Sequence, residues 1–334
     1  PHDTSLRLHN ALLLPHIYMS SAELQAERQQ VKKSLKAIHS SLVASTTDTS
    51  NALQGSSKDF RNSKPPSTML LVYQGHLDDH ELLQQNWQSY ALAYPTVQRV
   101  ADQVSVTLAE TSVSRPLRVG FASYFMFEHS VCRLWCPVIR ALALSPPYRS
   151  RLSVAVFSGT SARARQMNDS TTNAVEEAVK ISRGNLGFVR VPEFREENRA
   201  LVEDMHLDVL VYLDVGMVDV NEWALGRMAP VQVCLWGHPV STGMPHIDYF
   251  VTTDHFERRY DELARGDRFS EQLVRFDSLA FIFERNLAIE TLQQSRHPPQ
   301  RRRIYLVNQK YYKLHPDFDD VLSALLRLDD AAAA

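Results

Sequence analysis

Apolar positions divide the chain into two regimes. Up to about residue 110 they recur at helical spacing. Ser20 followed by Glu23 has the form of a capping box. Val31, Leu35, Ile38 and Leu42 then mark one face of a helix whose other side carries Lys32, Lys33 and Lys36. A second helix is expected from Glu81 to about Tyr90, with Leu82, Leu83, Trp87 and Tyr90 as its apolar positions, and a third from Pro95 to Glu110. Between the first two, Ala44 to Thr68 turns to Ser, Thr, Asn, Gly and Pro, which bury too little apolar surface to order a chain, so a mobile loop is expected there.

From Arg115-Pro116 onward the pattern changes to short β-branched or aromatic runs: 117–123, 152–157, 188–191, 207–213, 231–236 and 249–252. The intervals carry helical patterns at Ser130–Leu144, Asn173–Ile181 and Glu193–Met205. Strands alternating with helices predict an α/β fold, a doubly wound parallel sheet of Rossmann type. Past Pro298-Pro299 a further unit is expected to open with a strand at Ile304–Gln309 and a helix from Pro316 to about Leu328. The expected organisation is therefore a helical region (1–110), a Rossmann-like domain (115–285) and the start of a second such domain (300–334), which makes the sequence read as a fragment cut at both ends.

With 44% apolar residues among 334, the chain can bury more than one core. The net charge of −2 and the lack of long basic runs give no reason to expect nucleic acid or an anionic membrane as partner. Cys132, Cys136 and Cys234 form an odd set without disulfide-framework spacing. They are expected to be free buried thiols in a reducing, cytoplasmic or nucleocytoplasmic compartment. No apolar run is long enough for a membrane span and no signal peptide opens the chain. Neither GxGxxG nor GxxxxGK[ST] occurs, which removes the nicotinamide, flavin and P-loop readings.

Candidate chemistry collects at strand ends. The apolar run ending in Trp236 empties into Gly237-His238-Pro239, where no helix can continue, and ligands of open α/β sheets sit at such ends. Trp236 offers an apolar face of the kind sugars stack on. His238 reads either as a ligand contact or as part of a turn whose Gly and Pro serve the backbone only, with the turn preferred. His129 follows the first strand at the entrance of a helix, where it serves equally well as a ligand contact over the crevice or as a helix cap. Lys313 could neutralise a leaving diphosphate without a metal. Asp317-Phe318-Asp319 has the form of a metal-binding DxD, but its place after Pro316 fits a helix start better.

In order and spacing, three segments resemble glycosyltransferase family 41, the protein O-GlcNAc transferases with their SPINDLY-type and bacterial HMW1C-type relatives. They are Leu117–Ser123 with His129, Arg227–Gln232 leading into Trp236-Gly237-His238-Pro239 and Thr242-Gly243, and Gln309 with Lys313 to Asp319. The resemblance implies a GT-B architecture, of which 115–285 would be the N-terminal half, and metal-independent, inverting transfer of a sugar from a UDP donor. UDP-GlcNAc is the implied donor and protein Ser/Thr hydroxyls the implied acceptor. UDP-hexose or GDP-fucose transfer, Asn acceptors, or a non-catalytic partner-binding relative are the alternatives. It implies that His129 stands beside the donor sugar and diphosphate, that Trp236, Gly237 and Pro239 line the sugar pocket, and that Gln309 and Lys313 contact the nucleotide. His76 is a candidate for an upstream histidine of the family, a place Gln74 fits as well. No cofactor and no metal are implied, and residues 1–334 are expected to be inactive alone. Phe125 and Val131 stand where the family carries Asp and Thr.

Overall fold

The computed structural model describes residues 4–47, 65–75, 79–107, 115–160, 169–182, 186–217, 222–256, 268–283 and 305–329. Among the described residues, seven strands form one sheet: β1 (Leu117–Ser123), β2 (Leu152–Gly159), β3 (Gly187–Val191), β4 (Val209–Tyr212), β5 (Val231–Cys234), β6 (Tyr249–Thr253) and β7 (Gln272–Phe276). Their order is β3-β2-β1-β4-β5-β6-β7 and every pairing is parallel. This is the Rossmann-like, doubly wound arrangement, with its switch point between β1 and β4. All strand carboxyl ends consequently lie along one edge.

The two-residue period of the strands sorts their side chains into two cores. Val154, Val156, Val211 and Phe121 face one side, where they pack with Val131, Trp135 and Val175 of the helices Ser130–Leu144 and Ser170–Ile181. Ala155, Phe157, Leu210 and Tyr212 face the other and join Leu35, Trp87, Tyr90 and Val97 in a single cluster. The N-terminal helices, α1 (Thr4–Ala11), α2 (Ser21–Thr47) and α3 (His80–Ala93), thus cover the second face of the sheet. Polar contacts pin this layer: the Trp87 indole N–H donates to the Thr242 carbonyl at 2.6 Å, and the Tyr90 hydroxyl donates to buried Glu222 at 3.4 Å. Burial pushes the Glu222 carboxyl up to about 7 against the opposing pull of Arg195.

Several expectations are corrected. Helix α2 runs through Ala44 to Thr47, and Ser67 is tied by its hydroxyl to the Met217 carbonyl at 2.8 Å, while 48–64 lie outside the described residues. The stretch after Pro95 is a 3₁₀ turn, Pro95–Gln98, and a short helix, Asp102–Thr107. The two are separated where Val100 bridges Arg227. The expected helix Glu193–Met205 is only a 3₁₀ turn, Glu196–Asn198, and one α-turn, Ala200–Glu203. Between them buried Arg199 pairs with Glu196 and Glu203 and donates to the Arg99 carbonyl, which bends the segment inward. Strand β7, unforeseen, is an edge strand with alternating exposure, so its apolar signal is weak.

At the other end, Tyr305–Gln309 form no strand: an apolar run needs a ladder partner, and here these residues are exposed. The helix that follows, Phe318–Leu328, is present, but the segment leans on the N-terminal layer rather than on the sheet. Tyr312 packs against His16 and Tyr73, and the Ser21 hydroxyl donates to Asp317.

Cys132 and Cys136 are joined in a disulfide, with Cα atoms 4.9 Å apart; only Cys234 is a free thiol, and it is buried. Residues four apart in a regular helix share a face at roughly 6 Å, and Pro137 interrupts the ladder directly after Cys136. An odd cysteine count therefore did not mean three free thiols, and the thiol argument for a reducing compartment falls. Among the described residues, no helix is long and apolar enough to cross a membrane.

Because one core joins the N-terminal helices to the sheet, urea should unfold both in a single transition. Trp87→Phe should lower stability by about 1 to 3 kcal/mol through the orphaned Thr242 carbonyl. Two separated transitions by fluorescence and circular dichroism would contradict the shared core.

Candidate functional site

Three loops meet at the carboxyl edge of the sheet, those after β1, β4 and β5. The first, Tyr124–His129, ends as the N-cap of the helix Ser130–Leu144: the extended backbone of His129 lets its Nδ1 accept from the Val131 N–H at 3.3 Å. With Nδ1 accepting, the neutral imidazole carries its proton on Nε2. The ring stacks on Phe125, centroids 4.2 Å apart. Both readings of His129 thus keep a footing: it caps a helix through one nitrogen and carries a donor on the other. Glu128 is bound by the Thr171 hydroxyl and by Arg133, which holds its carboxyl below the usual range.

After β5, Gly237 meets the chain so closely that a Cβ there would lie 1.7 Å from the Leu213 carbonyl oxygen. Its requirement is therefore set by the backbone, whatever else it contacts. His238 is buried, and among the described residues its Nε2 has no hydrogen-bond partner. Burial, reinforced by the Lys313 cation, lowers its pKa to about 4. A neutral imidazole is thus held beside Gly216, with its Nε2 unused among the described residues. Buried Glu271 fixes the continuation of the loop, accepting from Ser241 Oγ and the Thr242 N–H at 2.8 Å each and from the Thr242 hydroxyl.

Between this loop and the N-terminal layer lies a cleft of about 480 Å³, with Asp79 and His80 on one wall and Trp236, Pro239, Phe256 and Arg268 on the other. Asp79 forms a 2.5 Å ion pair with Arg28, both largely buried. Trp236 stacks on Phe256 at 4.7 Å and Phe281 at 5.7 Å, so part of its face is already occupied.

The structure brings together some of the sequence candidates. Trp236 and Pro239 share the cleft, with Gly237 between them in sequence. Lys313 is exposed, its ammonium 5.2 Å from the centre of the Tyr73 ring and near enough to His238 to act on its titration. Gln309 stands apart: it is exposed and its side chain accepts from the Lys310 N–H. His129 lies one loop away from the cleft walls, and His76 falls outside the described residues. Asp317 bonds Ser21 and lies 3.5 Å from His315. Among the described residues, no group of three or more His, Cys, Asp or Glu could hold a metal ion.

Sequence reasoning missed Asp79, His80 and Arg268, which look like ordinary surface residues until the layers meet. It also missed Asp214, which is 5% exposed; its place directly after the apolar run ending at Leu213 is the signal that could have exposed it. Burial pushes its carboxyl up to about 7, against the hydrogen bonds it accepts from the Tyr124 N–H and Ser123.

No family model matches the sequence, and no curated protein matches it significantly. Among solved structures, the chain is similar to a mutant of the O-GlcNAc transferase of Thermobaculum terrenum, with 17% identity and a TM-score of 0.46 over 98% of this chain and 67% of that one.

Two outcomes are expected. Gly237→Ala should cost about 3 kcal/mol or more, since a backbone oxygen cannot retreat as a side chain would. His238, neutral when folded, takes a proton in the unfolded chain below about pH 6.5. Its contribution is therefore present above that pH and is lost as pH falls toward 4, by up to about 1.4 kcal/mol per unit. Asp214 and Glu222, raised to about 7, act in the opposite direction in both proteins, so the test is the stability difference between wild type and His238→Gln in urea titrations, which should change between about pH 7 and pH 5; a pH-independent difference would refute the burial.

Proposed function

We propose that this chain supplies the sheet half of a glycosyltransferase site that uses a nucleotide-sugar donor, transferring GlcNAc from UDP-GlcNAc to Ser or Thr hydroxyls of a protein, with inversion and without a metal. The observation that carries the reading is the cleft at the carboxyl edge of the parallel sheet, walled by Trp236 and Pro239 from the very loop whose sequence suggested sugar chemistry. Such an edge is where α/β sheets bind their ligands.

In this reading the sugar lies against the free part of Trp236 and against Pro239, and the close packing of Gly237 keeps that loop rigid. His238, buried beside Gly216, backs this loop from behind. Lys313, over the Tyr73 ring, offsets charge gathering on the departing diphosphate, and Gln309 would have to swing from its present position to reach a nucleotide. His129 stands in the neighbouring loop, its Nδ1 held by the Val131 N–H. The stacking of Phe125 on that imidazole favours a second reading, a non-catalytic relative in which the cleft binds without turnover.

Saturation-transfer NMR with millimolar UDP-GlcNAc reads even weak occupancy. Transfer to the sugar ring protons is expected, and Trp236→Ala should abolish it; absence of transfer to any nucleotide sugar would sink the proposal. Lys313→Ala should weaken UDP binding about tenfold, or about 1.4 kcal/mol. EDTA should leave binding unchanged, whereas binding that needs Mn²⁺ would move the role to Asp317 and Asp319.

A further inference from the structure

Strand β4 lies between β1 and β5, so the loop Leu213–Met217 is wedged between the turn that carries His129 and the loop that carries Trp236. On the β1 side, Asp214 Oδ2 accepts from the Tyr124 N–H at 3.0 Å, and its carboxylate also receives the Ser123 hydroxyl. Ser123 Oγ in turn accepts from the Phe125 N–H at 2.9 Å. The Phe125 ring then lies flat on the His129 imidazole, whose Nδ1 is held by the Val131 N–H. On the β5 side, Gly237 abuts the Leu213 carbonyl and Gly216 abuts His238.

We infer that Asp214 is a positioning residue of this site: it fixes the turn after β1 so that Phe125 holds His129 in one orientation and one tautomer, and it joins that turn to the loop after β5. The inference rests on the proposed function only for why the orientation of His129 matters. Asp214 is buried, and among the described residues no basic side chain is paired with it. A carboxyl buried in this way costs stability at neutral pH, which packing alone does not require. What it supplies is acceptor geometry: two donors of the same turn converge on it, and an apolar side chain could receive neither.

The test reads the imidazole directly, without nucleotide, so failure of sugar binding leaves it intact. In ¹⁵N-histidine-labelled protein, long-range ¹H–¹⁵N spectra should show His129 as a single Nε2–H tautomer. Asp214→Ala should replace that pattern by a mixture of tautomers. Asp214→Asn, which keeps an acceptor oxygen for the Tyr124 N–H, should restore it. An unaltered His129 pattern in folded Asp214→Ala would overturn the assignment. Should that variant fail to fold, Ser123→Ala removes only the bridging hydroxyl: a mixed tautomer there supports the role, and an unchanged spectrum refutes it.

Discussion

The parallel hydrogen-bond ladder is the constraint on which the rest depends. When every strand runs the same way, each return must cross over the sheet, and each strand delivers its carboxyl end to the same edge. The loops after β1, β4 and β5, far apart in sequence, thereby become neighbours. Their chemistry is possible only because β4 separates the other two by one strand spacing on either side, roughly 4.8 Å. The Leu213 carbonyl against Gly237 and the Asp214 carboxyl against the Tyr124 N–H are the two contacts through which this spacing acts.

A sheet of this kind must be covered on both faces. Two crossover helices cover one. The other is closed by helices that precede the first strand, so the N-terminal region belongs to the same core as β1, β2 and β4 rather than standing beside it. The cleft is a product of that closure. One wall is the start of α3 with Asp79 and His80, the other the loop after β5, and the bond from Trp87 to Thr242 keeps them in register. Stability and site share the same residues.

What the sequence disclosed follows the same division. The helix Ser130–Leu144 and six of the seven strands were legible because their apolar positions are local and periodic. The seventh strand was hidden by its half-exposed edge, and the run after Ile304 looked like a strand because a sequence cannot show whether a ladder partner exists. In the site, Trp236 and Pro239 could be found from a buried strand emptying into a turn. The burial of His238 was not legible because Gly216, which it abuts, is distant in sequence. Asp214, Asp79 and Arg268 acquire meaning only from neighbours brought by the fold, and the Cys132–Cys136 pairing was obscured by treating an odd cysteine count as a statement about all three.

The central claim is that the loops after β1, β4 and β5, roofed by the N-terminal layer, act as one binding unit. Hydrogen exchange followed by mass spectrometry, with and without millimolar UDP-GlcNAc, addresses it most directly. Ligand should slow exchange together in segments 124–129, 213–217 and 235–243 and at the start of α3 near His80. Protection confined to other parts of the chain, or present in one of these loops without the others, would contradict the account.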